Sequence, residues 1–96
     1  MKLAGEVILA AYAKRHAGAA KSLKAWETRV RLANWKNPAE LKVDFPAASL
    51  LANNRIIFNI GGNHHRLVAE AVYAHGTLII SWIGTHAEYD KRNFNA

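Results

Sequence analysis

Two short segments hold most of the side chains that could move a proton or grip an anion. Gly61-Gly62-Asn63-His64-His65-Arg66 supplies two histidines, an asparagine and an arginine, and Thr85-His86-Ala87-Glu88-Tyr89 adds a histidine and a tyrosine. Histidine titrates near neutrality and serves as either acid or base. Arginine holds two phosphate oxygens at once and stabilises charge that develops on them. A helix starting at His86 would add free amides and a positive dipole end. This set suits cleavage of an RNA phosphodiester, which needs a base for the 2′-hydroxyl, a cation at phosphorus and an acid for the departing 5′-oxygen. Each piece alone also has a plain structural explanation. A histidine ahead of a helix is more often a cap or surface residue, Arg66 can pair with Glu70 along a strand face, and Tyr89 can be a core aromatic.

Three histidines also raise the question of a metal. Adjacent His64 and His65, read as strand residues, point to opposite faces and could not readily share one ion. No carboxylate stands at a familiar ligand spacing, so neither a metal site nor a cofactor is expected.

The elements that must position these residues follow from periodicity. Residues 1–36 read as helical, with Ile8 and Tyr12 one turn apart and Gly18 as the break between two helices. Leu23, Trp26, Val30 and Ala33 form an apolar stripe. Met1 to Leu3 is a candidate for a very short strand. Asn37-Pro38 ends the helical pattern, residues 37–54 form a connection with a turn of helix around Pro38 to Lys42, and Asn53-Asn54 makes a turn. From Arg55 the period becomes two. Ile56, Phe58 and Ile60 alternate on one strand, Leu67, Ala69 and Ala71 on the next, and Leu78 to Gly84 forms a third. The Gly-Gly-Asn and Ala74-His75-Gly76-Thr77 turns join them into an antiparallel meander. Thr85 and Glu88 fit a capping box for a last helix from His86 to about Asn93. In such a meander the 61–66 turn and the 85–89 segment meet at one strand end. Trp26 and Trp82 are assigned to the core, and Trp35, beside Asn34 and Lys36, either to partner contact or to covering the helix end.

Composition bounds the rest. Ninety-six residues, 51% hydrophobic and 21% charged, suit one globular domain over 1–96 with a small core. No cysteine is present, which excludes a thiol nucleophile, a disulfide scaffold and a cysteine zinc site. The longest apolar run, Val7 to Ala13, is too short to cross a bilayer, and Glu6, Lys14 and Arg15 spoil its likeness to a signal peptide. A cytoplasmic protein with no membrane contact is expected. Thirteen Lys and Arg against seven Asp and Glu give a net charge of +6, which favours a polyanionic partner.

The whole chain resembles the HigB family of type II toxin–antitoxin systems, within the RelE-like superfamily. The resemblance rests on Trp35-Lys36-Asn37-Pro38-Ala39-Glu40-Leu41-Lys42, on Phe58 to Asn63 (FNIGGN) followed by Arg66-Leu67-Val68, and on Thr85 to Lys91 (THAEYDK). It implies an α+β, RelE-like fold: two N-terminal helices packed on a three- to four-stranded antiparallel sheet, with a short C-terminal helix. It also implies a ribosome-dependent mRNA endonuclease that works by metal-free attack of the 2′-hydroxyl, held in check by a helix-turn-helix antitoxin of the HigA type. On this resemblance Arg66, His86 and Tyr89 are the catalytic candidates, and Asn63, His64, Lys91 and Arg92 the candidate RNA contacts. His64-His65 departs from the family's turn sequences, and there is no long basic tail, which is expected to weaken RNA binding. Two other readings share the fold: a nucleic-acid or ribosome-binding module without turnover, and a domain whose basic surface docks an acidic protein.

Overall fold

The computed structural model describes residues 1–92. The chain runs β1 (Lys2–Ala4), α1 (Glu6–Arg15), α2 (Ala17–Leu32), α3 (Pro38–Asp44), β2 (Ser49–Leu50), β3 (Arg55–Ile60), β4 (His65–Val72), β5 (Thr77–Thr85) and α4 (His86–Asp90). The architecture is α+β, with five strands in the order β1-β5-β4-β3-β2. The expected meander is β3-β4-β5, antiparallel throughout. The sheet is wider than expected and mixed. Lys2–Ala4 pairs parallel with Thr77–Ile79, and Ser49–Leu50 adds an antiparallel edge. Two- and three-residue edge strands carry no readable alternation, which is why the sequence pattern stops at three or four strands.

The sheet buries one face against the helices. Leu9 and Tyr12 of α1, Leu23, Trp26 and Val30 of α2 and Leu41 of α3 pack against Ile56, Phe58, Leu67, Ala69, Leu78 and Ile80. The Leu23-Trp26-Val30 stripe is thus the core face of α2, and Trp26 meets Phe58 edge to face at 5.2 Å. Asn37 caps α3 by accepting from the Glu40 amide, ahead of a proline that needs no amide partner. The break between α1 and α2 falls at His16, and Gly18 lies inside the first turn of α2. Asn53 and Asn54 both take the left-handed conformation, as the expected turn requires.

Of the two readings for Trp35 the helix-end one holds, and Trp82 departs from its core assignment. Trp35 is buried, and its indole N–H donates to Asp44 Oδ2 at 2.7 Å, tying the end of the helical half to α3. Trp82 is on the sheet face away from α1 and α2. Val68 lies opposite Trp82 and Ala69 opposite Ile80, so Ser81 is an unmatched bulge residue. One extra residue reverses the inward–outward alternation beyond it. Ile83 takes the core position that strict alternation gives to Trp82.

Candidate functional site

The turn between β3 and β4 needs two consecutive residues in the left-handed region, and Gly61 and Gly62 fill it with φ of 63° and 67°. Asn63 and Arg66 then close on each other. The Arg66 guanidinium donates to Asn63 Oδ1 at 2.7 Å and, through its other terminal nitrogen, to the carbonyls of Asn63 and His65 at 3.3 and 3.1 Å. Arg66 is 8% exposed, and among the described residues no carboxylate pairs with it. The alternative pairing with Glu70 is not made: Glu70 is exposed and stands across from Arg55 and Ile79. A buried guanidinium held by neutral acceptors keeps its charge for another anion.

β5 brings the second segment to this turn. His65 stands opposite Thr85, Arg66 opposite Gly84, and the His86 amide donates to the His64 carbonyl at 2.9 Å. The capping box forms as expected: Thr85 Oγ1 accepts from the Glu88 amide and Glu88 Oε1 from the Thr85 amide. That backbone hydrogen bond, with the Thr85 side chain, holds the Glu88 carboxyl below the usual glutamate value. Within α4, His86 Nδ1 meets Asp90 Oδ2 at 2.9 Å, one turn on. A carboxylate on Nδ1 fixes the ring's orientation and leaves Nε2 as the nitrogen not engaged by Asp90. His86 is about half exposed, with 42% of its side chain accessible.

Tyr89 and Arg92 gather on Trp82. The Tyr89 ring lies 6.5 Å from the indole and the Arg92 guanidinium 5.3 Å from its centroid. The indole lies over Gly84, where a Cβ would come within 2.4 Å of the ring. Glycine at 84 therefore lets the aromatic lie flat beside the strand position opposite Arg66.

The histidines divide between the two sides of the sheet. His64 is exposed in the turn, since β4 begins only at His65. The expectation that both are strand residues is corrected accordingly, and their rings stand 6.4 Å apart. His65 faces the helices, where its Nδ1 is 2.6 Å from the buried Tyr12 hydroxyl. Burial first, then the neighbouring His16 and His64, hold the His65 imidazole below its ordinary 6.5. Burial likewise pushes the Tyr12 phenol up, with the Glu88 charge adding to it. Among the described residues no three His, Asp or Glu side chains are grouped as a metal would need.

Of the sequence candidates, Asn63 and Arg66 touch, His64 and His86 join through the backbone, and Tyr89 and Arg92 share Trp82. Lys91 is exposed just after α4, and its amide bonds back to Glu88. The last helix is shorter than expected: α4 ends at Asp90, Lys91 and Arg92 continue as a turn and a bend, and Asn93 lies outside the described residues. Three participants escape the sequence reading: Asp90, Trp82 and Tyr12. The four-residue spacing of His86 and Asp90 could have revealed the first. No local signal marks the bulge that turns Trp82, or the long-range reach of Tyr12.

No helix among the described residues is long and apolar enough to cross a membrane. No curated protein matches the chain. Residues 19–92, most of the chain and all of the elements that carry the site, match the HigB toxin family, described as the RelE-like toxic component of a toxin–antitoxin system. The chain belongs to this family of RelE-like toxins, and its role implies an antitoxin partner.

Proposed function

We propose that this toxin is a ribosome-dependent endoribonuclease, one domain over 1–96, that cuts mRNA by attack of the neighbouring 2′-hydroxyl and so stops translation. One observation carries the reading: an arginine with no carboxylate partner among the described residues sits at the same strand end as a histidine oriented by Asp90. Arg66 stabilises the charge on the phosphate oxygens. His86 and Tyr89 are the proton-transfer pair, one taking the 2′-hydroxyl proton and the other protonating the leaving 5′-oxygen. The phosphorus–5′-oxygen bond breaks as the 2′-oxygen bond forms, giving a 2′,3′-cyclic phosphate and a 5′-hydroxyl. Asn63, His64, Lys91 and Arg92 contact the RNA around the cut. These residues supply positive charge and proton transfer by themselves, so the step uses no metal ion or cofactor.

A +6 chain suits both an RNA backbone and an acidic patch on a helix-turn-helix antitoxin of the HigA type, bound in a joint oligomer in the cytoplasm. The test is induction of the chain without its antitoxin. Wild type should arrest growth, and His86→Ala, accumulated to the same level and folded, should not. A folded His86→Ala that still arrests growth would overturn the assignment.

A further inference from the structure

Tyr12 of α1, ahead of the segment that matches the family, reaches the residue that precedes Arg66. Tyr12 is 1% exposed, and its hydroxyl has His65 Nδ1 as its partner at 2.6 Å. The His16 ring stacks on Tyr12 at 4.2 Å and stands 5.9 Å from the His65 ring, nearly perpendicular to it. The imidazole of His65 fits directly beneath the turn: a Cβ on Gly61 would lie 3.3 Å from its Cδ2 and 3.7 Å from Ser22 Oγ. The same residue's carbonyl accepts from Arg66, and its strand partner Thr85 caps the helix that carries His86 and Tyr89. His65 therefore touches both halves of the candidate site from behind while contributing no group to the open face.

The 2.6 Å contact fits two neutral tautomers, with the phenol donating to a bare Nδ1 or accepting from a protonated one; the clamp proposed below takes the first, with the ring proton on Nε2. The surroundings agree with a neutral ring, since burial and the adjacent His16 and His64 hold His65 below the ordinary histidine value. Removing either partner leaves a buried polar atom unpaired under the glycine turn.

We propose that Tyr12 and His65 are positioning residues, a buried clamp by which α1 fixes the turn holding Arg66 and the cap of α4. This rests on the cleavage reading above for its kinetic test, but the clamp itself has an independent readout. Tyr12→Phe deletes one oxygen and keeps the ring, so the fold should persist. It should lower kcat for ribosome-dependent cleavage about tenfold with little change in the half-saturating ribosome concentration, as expected when reacting groups are misplaced rather than unbound. His65→Asn keeps an acceptor within reach of Tyr12 and should retain activity within about threefold of wild type. His65→Leu should lose as much as Tyr12→Phe, and the double variant Tyr12→Phe/His65→Leu should lose no more than either alone. Nitrogen-15 NMR of the wild-type histidine rings should show His65 as the Nε2–H tautomer, with the Arg66 Nε–H signal sharp. Tyr12→Phe should release the tautomer and broaden the Arg66 signal. Unchanged kcat in Tyr12→Phe, additive losses in the double variant, or an unaltered Arg66 signal would overturn the clamp. If wild type cleaves no RNA at all, the functional reading fails, and the NMR comparison still decides the clamp.

Discussion

His65 and Arg66 are neighbours in sequence and belong to opposite sides of the molecule. Period two sends His65 toward the helices, where it meets the Tyr12 hydroxyl and the His16 ring. Arg66 goes to the other side, opposite Gly84, where its charge meets carbonyl and amide oxygens and, among the described residues, no carboxylate. The helix side is closed by complementary packing, and the far side keeps a cation and an oriented histidine. One strand end thus separates what holds the candidate site from the groups proposed to do its chemistry. Substitutions on the two sides should fail differently.

The largest effect should come from the helix side. Trp26→Ala empties a site packed against Phe58 and should cost about 3–5 kcal/mol, read as a fall in the midpoint of denaturant unfolding. On so small a chain that approaches the whole of the stability. A Trp26→Ala variant that unfolds at the wild-type midpoint would remove the contrast between the sides.

On the far side, His86→Ala should lower cleavage roughly 10²- to 10⁴-fold, the usual contribution of a proton-transferring side chain, with the unfolding midpoint nearly unchanged. Arg66→Ala should be as severe in activity. It should also cost about 1–3 kcal/mol, because this arginine is buried and ties down the Asn63 turn. Simple exposure at the strand end would have left stability untouched, so the pair distinguishes a structural arginine from a surface one. A smaller loss, about tenfold, is expected for Gly84→Ala, whose Cβ must displace the Trp82 ring and the Tyr89 packed with it. Wild-type cleavage in Gly84→Ala would show that Trp82 takes no part.

Much of this was readable from residue types because the signals are local. The capping box of Thr85 and Glu88, the Gly61-Gly62 turn and the Leu23-Trp26-Val30 stripe each lie within a few residues, and each formed. The meander then forces the 61–66 and 85–89 segments together. What was not legible depends on single-residue irregularities or distant partners. The Ser81 bulge moves Trp82 across the sheet, Asp44 draws Trp35 inward, and Tyr12 meets His65 across 53 residues of chain. The family match supplies the toxin role, which no arrangement of three histidines would yield alone.

The smallest effect concerns pH and belongs to the helix side. His65 titrates below its ordinary 6.5 in the folded chain, so over that window the unfolded chain binds a proton the folded one refuses. Its contribution to stability is full above 6.5 and is lost as pH falls toward the folded value. Thermal midpoints taken from neutral to mildly acidic pH should therefore fall more steeply for wild type than for His65→Asn. Parallel curves would mean that His65 is not held neutral.

On the proposed reaction the RNA's own 2′-hydroxyl attacks, aided by Arg66 and by His86 aimed by Asp90. The most direct measurement is the chemistry of the cut ends, made on mRNA cleaved by the purified toxin on translating ribosomes. A 2′,3′-cyclic phosphate or 3′-phosphate with a 5′-hydroxyl is the expected result. A 5′-phosphate would contradict it, because that end forms when an activated water attacks instead.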